Sequence, residues 1–159
     1  MIRAIVFDCF GVLATDGWLP FKERYFGHDT QKFAAASDLG RAADAGLIDF
    51  DEFIGQVSAL AQVTDLDARS QIEHNVPNDA LFAYIRDALK PKYKIGMLSN
   101  AGADWLHELF TPEQVALFDA VALSYEIGVL KPAPRAYEVI AERLGVTPEA
   151  CVFVDDQER

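Results

Sequence analysis

Four places in this 159-residue chain put chemically active side chains directly after an apolar run. "AIVFDCFGVL" carries Ala4, Ile5, Val6 and Phe7 into Asp8 and then turns at Gly11. "YKIGMLSN" ends on Ser99 and Asn100, Lys131 lies just past a third run, and "CVFVDD" ends on Asp155 and Asp156. Each of these is commonplace alone. Ser-Asn is a usual turn pair, Lys-Pro a solvated loop, and Asp-Asp a solvated end. Their recurrence at successive strand ends is the signal. In a parallel sheet all carboxyl ends lie along one edge, where open α/β sheets hold ligands. That edge would gather three carboxylates, a hydroxyl, an amide and an ammonium. Three crowded carboxylates repel one another, so the group argues for a bound cation.

The elements that must position these groups follow from patterning. Ala4–Phe7 is a short run of apolar residues ended by a glycine turn, as in a buried parallel strand. From about residue 16 to residue 75 the chain is nearly all helical in pattern. "DFDEFIGQVSALAQ" starts on an Asp cap and places Phe53, Val57 and Leu60 on one face, and "TDLDARSQIEHNV" sets Asp67 three residues after Thr64. Asn75 to Asn78, around Pro77, reads as a linker. Beyond it come a helix ending at Pro91, the "YKIGMLSN" strand, a helix over "ADWLHELF", and a strand within "DAVALSYEIG". A helix over "APRAYEVIAERLGV", with Pro134 in its first turn and Gly145 as its stop, leads into the "CVFV" strand. Such helix–strand alternation predicts an α/β fold with a parallel, Rossmann-like sheet, flanking helices and a small inserted helical block.

Composition narrows the function. With 51% hydrophobic residues the chain can bury a sizeable core. Its net charge of −11 lacks the basic footprint of a nucleic-acid binder and is unsuited to an anionic membrane surface. An anionic substrate is still compatible, because a bound cation inverts the local field. No run approaches the roughly 18 apolar residues of a membrane span. The N-terminal run is broken by Asp8 and does not read as a signal peptide. Cys9 and Cys151 make no disulfide framework and read as small buried thiols. These features predict a cytoplasmic protein.

The runs "VFDCFGVL", "GMLSNAG", "GVLKPAPRAYE" and "CVFVDD" resemble, in order and spacing, the four motifs of the haloacid dehalogenase-like hydrolases, and "GVLKPAPRAYE" is closest to the phosphatase branch. The resemblance covers nearly the whole chain. It implies an α/β core over 1–15 and 78–159 and a helical cap over 16–77. It implies that Asp8 takes the phosphoryl group of a small phosphorylated substrate as an aspartyl phosphate. Ser99, Asn100 and Lys131 would bind the phosphoryl oxygens, with Lys131 offsetting charge. Asp8, the backbone carbonyl of Phe10, and Asp156 would hold Mg²⁺, with Asp155 a further ligand or an acceptor behind the ligands.

Phe10 departs from the pattern. Phosphatases of this family usually carry a second Asp two residues after the first, which protonates the leaving oxygen and then deprotonates water. Loss of such a group costs about 10²–10⁴ in rate. Three readings follow: a phosphatase that finds its proton elsewhere, a binding or regulatory protein without turnover, and a 2-haloacid dehalogenase. The dehalogenase branch carries an aromatic at the Phe10 position but needs no metal and lacks paired carboxylates like Asp155-Asp156. Asp16 and Glu23 could replace the missing acid, although nothing in the sequence orients them.

His28, His74 and His107 show no metal-ligand spacing and read as structural or solvated. Trp18, Phe21, Tyr25 and Phe26 read as packing between cap and core, with Phe10 against the cap, and Trp105 as core. The chain ends at "VDDQER", soon after the last carboxylates. This predicts that part of the sheet is missing, and that Cys151–Val154 lies at an open edge able to pair with another strand.

Overall fold

The computed structural model describes residues 1–157; Glu158 and Arg159, which close the "VDDQER" run, lie outside the described residues. Strand β1 (Ala4–Phe7) leads to helices α1 (Trp18–Phe26), α2 (Thr30–Asp44), α3 (Phe50–Ala61), α4 (Asp65–Ile72) and α5 (Asp79–Tyr84), the last extended by a π-turn over Ile85–Leu89. Strand β2 (Lys94–Ser99), two single-turn helices α6 (Leu106–Leu109) and α7 (Pro112–Val115), and strand β3 (Ala120–Leu123) follow. The chain closes with α8 (Ser124–Ile127), α9 (Pro134–Leu144) and β4 (Cys151–Val154).

The four strands form one parallel sheet in the order β3-β2-β1-β4. Apolar residues cover both of its faces, which is why the strands read as unbroken greasy runs. On one face Phe7, Ile95, Met97 and Leu123 pack with Phe82, Ile85 and Phe110. On the other, Ala4, Val6, Leu98 and Ala122 pack with Ala136, Ile140 and Leu144 of α9. β4 is an edge strand among the described residues, and Val152 on it is exposed.

Helices α1 to α4 enclose a cluster of their own. Phe21, Phe26, Phe53, Ile54, Val57, Ala68 and Ile72 are buried there. Their caps follow local chemistry: Asp49 accepts from the Glu52 amide at 2.8 Å, and Thr64 from the Asp67 amide at 3.1 Å. Trp18, Phe21, Tyr25 and Phe26 therefore pack inside this helical group, not between it and the sheet. The Trp18 ring meets Phe53 edge-on at 5.1 Å. α1 is amphipathic, and its aromatic face finds enough apolar surface on its neighbours without the sheet.

Two connecting segments join the helices to the sheet, and they bond to each other. The Thr15 amide donates to the Val76 carbonyl at 3.0 Å, the Asn78 amide to the Leu13 carbonyl at 2.8 Å, and the Gly17 amide to Asn75 Oδ1 at 2.9 Å. The Asn75–Asn78 linker is thus a paired segment. Two further elements differ from the sequence pattern. The helix over "ADWLHELF" shrinks to the single turn of α6. Trp105 and Phe10, half-buried, pack ring against tilted ring with centroids 4.7 Å apart, against the sheet's core. Phe10 faces that core and not α1–α4, because the Gly11 turn folds the chain back over Cys9. Among the described residues no helix is long and apolar enough to cross a membrane.

Candidate active site

Strand register assembles the site. Phe7 is paired with both Met97 and Val154. The next residues along, Asp8 and Asp155, therefore leave neighbouring strands at the same level, and the Asp8 amide donates to the Val154 carbonyl at 2.8 Å. Ser99 closes β2 and is buried, its hydroxyl 3.4 Å from the Asn100 carbonyl.

Lys131 arrives by a longer route than a strand end. β3 stops at Leu123, the α8 turn intervenes, and Lys131 follows Leu130 in the loop before α9. Asn100 holds that loop at both ends of its amide: Oδ1 accepts from the Lys131 amide at 2.8 Å, and Nδ2 donates to the Lys131 carbonyl at 3.1 Å. The ammonium is thereby aimed between two carboxylates, 2.7 Å from Asp8 Oδ2 and 2.8 Å from Asp155 Oδ2, with its side chain 2% exposed. A buried charge in this setting must be paired, and here it is paired twice.

Asp8 is buried, and its Oδ1 accepts from the Cys9 amide at 2.7 Å. Burial pushes its carboxyl above the usual carboxylate range, Asp155 adds to the push, and Lys131 opposes it by charge and hydrogen bond. The Cys9 thiol, fully buried beside Asp8, is held well above the ordinary thiol range by burial and then by the Asp8 charge. It is therefore an inert core thiol.

Asp8, Asp155 and Asp156 present carboxylate oxygens that all lie within 4.8 Å of one another. Three carboxylates against the one ammonium of Lys131 leave an excess of negative charge. Gly11, with φ of +84°, lies directly under Asp156; a Cβ there would come within 2.5 Å of Asp156 Oδ2. Among the described residues no hydrogen bond ends on the Phe10 carbonyl. A cavity of about 290 Å³, bordered by Asp8, Lys131 and Asp155, opens beside the cluster.

The structure thus brings together Asp8, Ser99, Asn100, Lys131, Asp155 and Asp156, and Phe10 lies in the same turn. Glu23 is exposed on α1, and Asp16 lies at that helix's start. One residue escaped sequence reasoning. The buried Ser124 hydroxyl accepts from the Ala101 amide at 2.9 Å and donates to the Asp44 carbonyl at the end of α2, tying the loop after β2 to the helical group. A lone serine after a strand gives no signal for that.

The chain is similar to known proteins in sequence and fold. The chain is 30% identical to phosphatase MT3486 of Mycobacterium tuberculosis, over 98% of this chain and 79% of that protein. A haloacid dehalogenase family enzyme of Bacteroides thetaiotaomicron, crystallised as the wild type with magnesium and inorganic phosphate, superposes with a TM-score of 0.74 at 25% identity, covering 99% of this chain and 86% of that one. The L-2-haloacid dehalogenase RSc1362 shares the fold, with a TM-score of 0.66 at 20% identity over 96% of this chain and 77% of that one. The model of the haloacid dehalogenase-like hydrolase family matches residues 2–159, and to that family the chain belongs.

Proposed function

We propose that this protein is a Mg²⁺-dependent phosphatase of a small phosphorylated metabolite, acting through an aspartyl phosphate on Asp8. The observation that carries the reading is the cluster of Asp8, Asp155 and Asp156 around the doubly paired Lys131. The magnesium and phosphate complex of the Bacteroides enzyme and the phosphatase relative support it.

The donors fit Mg²⁺: all are oxygens, they are crowded, and their charge exceeds that of Lys131. Asp8, Asp155, Asp156 and the Phe10 carbonyl would hold the ion. When bound it neutralises charge on the transferring phosphoryl group. The chain's own residues do the rest. Asp8 attacks phosphorus with one carboxylate oxygen, and Lys131 keeps that carboxylate ionised despite its burial. Ser99 and Lys131 offer donors to the phosphoryl oxygens. Asn100 acts mainly by holding the Lys131 backbone, with one amide hydrogen left for the phosphoryl group. We take residues 16–77 as a cap that closes over this edge and selects the leaving group.

Asp8→Asn tests the reading. Turnover of phosphate monoesters should fall to background while near-UV circular dichroism is unchanged. Full activity in Asp8→Asn overturns the nucleophile. Turnover of a 2-haloacid with chelator present, and none of any phosphate ester, would move the protein to the dehalogenase branch.

A further inference from the structure

Hydrolysis of an alkyl phosphate expels an alkoxide that needs a proton. The carboxylates already placed cannot supply one: Asp8 forms the covalent bond, and Asp155 and Asp156 belong to the cation cluster. Phe10, turned onto Trp105, has no proton to give.

Asp16 stands at the hinge between β1 and α1. Its Oδ1 accepts from the Trp18 amide at 2.8 Å and the Leu19 amide at 3.4 Å, which fixes the carboxyl's direction at the start of α1. Both hydrogen bonds fall on that one oxygen, and Oδ2 takes neither. Asp16 borders an open cleft of about 430 Å³ together with Gly11, the residue that lies under Asp156. The segment thus sets the carboxyl beside the Gly11 turn, near enough to Asp156 of the cation cluster for the two charges to interact. Lysine 22, one turn along α1, and Asp156, beyond β4, are the charged groups that act on it.

We infer that Asp16 is the acid, and then the base, of the phosphatase reaction, in place of the residue at position 10. The inference rests on the phosphatase reading above. As Asp8 bonds to phosphorus, the bond from phosphorus to the leaving oxygen breaks, and that oxygen keeps the electron pair and takes the Asp16 proton. The ionised Asp16 then accepts a proton from the water that attacks the aspartyl phosphate. Phosphate departs, Asp8 is regenerated and Asp16 is again protonated, so the cycle closes.

The environment suits the role. Burial, and secondarily Asp156, raises the Asp16 carboxyl above the ordinary carboxylate value, while the two amides and Lys22 pull it down. A cation on Asp156 cancels that group's push but leaves the larger effect of burial.

The variant to make is Asp16→Asn, since Asn caps a helix as well as Asp does. The protein would be assayed with Mg²⁺ on an alkyl phosphate and on p-nitrophenyl phosphate, whose leaving group departs unprotonated. The expected result is a loss in kcat/KM, which reports formation of the aspartyl phosphate, of about 10²–10⁴ on the alkyl ester and a far smaller loss in kcat/KM on the nitrophenyl ester, while the slowed base step lowers kcat on both. In the wild type, kcat/KM on the alkyl ester should fall as pH rises past the Asp16 pKa, and this limb should be absent with the nitrophenyl ester. That second measurement needs no variant. Equal losses in kcat/KM on both esters, no loss on either, or the same basic limb of kcat/KM with both substrates would overturn the assignment. Retained nitrophenyl turnover in Asp16→Asn would show the Asp8 chemistry intact, so a failed relay is distinguishable from a failed phosphatase. Wild-type protein that turns over neither ester overturns both.

Discussion

At the scale of single residues the site is a matter of charge pairing. Lys131 serves two carboxylates with one buried ammonium, and removing it strands both. Phe10 is the other decisive position. Replacing it by Asp sets a carboxyl two residues beyond Asp8. The expected gain on an alkyl phosphate is up to about 10²-fold, largest when Asp16 is also changed to Asn, and small on p-nitrophenyl phosphate. The same change breaks the ring contact with Trp105, worth about 0.5–1.5 kcal/mol beyond the area it buries. Phe10 is only half-buried, so the total loss should stay below the roughly 3–5 kcal/mol of a fully buried phenylalanine. Steady-state kinetics on protein shown to be folded checks the first effect, and denaturant melts check the second. Asp8, Ser99, Asn100, Asp155 and Asp156 were legible in the sequence because they stand at or just past the ends of apolar strands. The aim of Asp16 was not legible, because it depends on two amides at the start of α1 and on a turn that brings Gly11 beside it.

At the scale of elements, α2, α3 and α4 each start on a side-chain cap, Asp29, Asp49 and Thr64, and bury an apolar face against their neighbours. The cap of α3 offers a clean test. Asp49→Ala removes one accepted hydrogen bond from the Glu52 amide and leaves the buried Phe53, Ile54 and Val57 in place. It should destabilise by about 1 kcal/mol. For a chain of this length that lowers the melting temperature by about 2–4 °C, readable by calorimetry. Activity at temperatures well below the melt should be unchanged. The positions of these caps could be read from Asp49 and Thr64 directly, since capping is local. Two element-scale features were not readable. Lys131 reaches the site through the α8 turn, which the pattern of "LSYEIG" does not distinguish from a continuing strand. The faces of α1 are settled by α2 and by α4, the second far away in sequence, so its aromatics pack within the helical group and leave the sheet to Phe10 and Trp105.

For the whole molecule, stability and metal are linked. The oxygens of Asp8, Asp155 and Asp156 converge only when β1 and β4 are paired, so a cation bound there binds the folded chain alone. Saturating Mg²⁺ should therefore raise the melting temperature; a ligand at about 100 times its Kd adds about 2.7 kcal/mol. Asp156→Ala should abolish most of that rise, and an equal rise in the variant would place the ion elsewhere. Protons act in the opposite sense to the usual buried ion pair. Asp8 and Asp16 have folded pKa values raised above the ordinary carboxylate value. The folded state therefore holds their protons more tightly than the unfolded one, and without metal these two groups make stability fall as pH rises from the unfolded pKa through the folded one. Asp16→Asn removes one contribution, so its melting temperature should exceed the wild type's at neutral pH, with the gap closing in acid.

The paired segments Leu13–Gly17 and Asn75–Asn78 give the molecule a further property. The chain leaves the sheet and returns to it through two strands of backbone lying side by side, so the way out and the way back share one doorway. Whatever is spliced between them begins and ends at almost the same point in space, and β1 and β2 need not shift their pairing to admit it. Insertions, deletions or a wholesale exchange of the intervening helices can therefore be tried by selection, or by an engineer, while Asp8 keeps its place beside Asp155. The helical segment and the strand ends that carry Asp8 and Asp155 can in this way change at different rates along one gene.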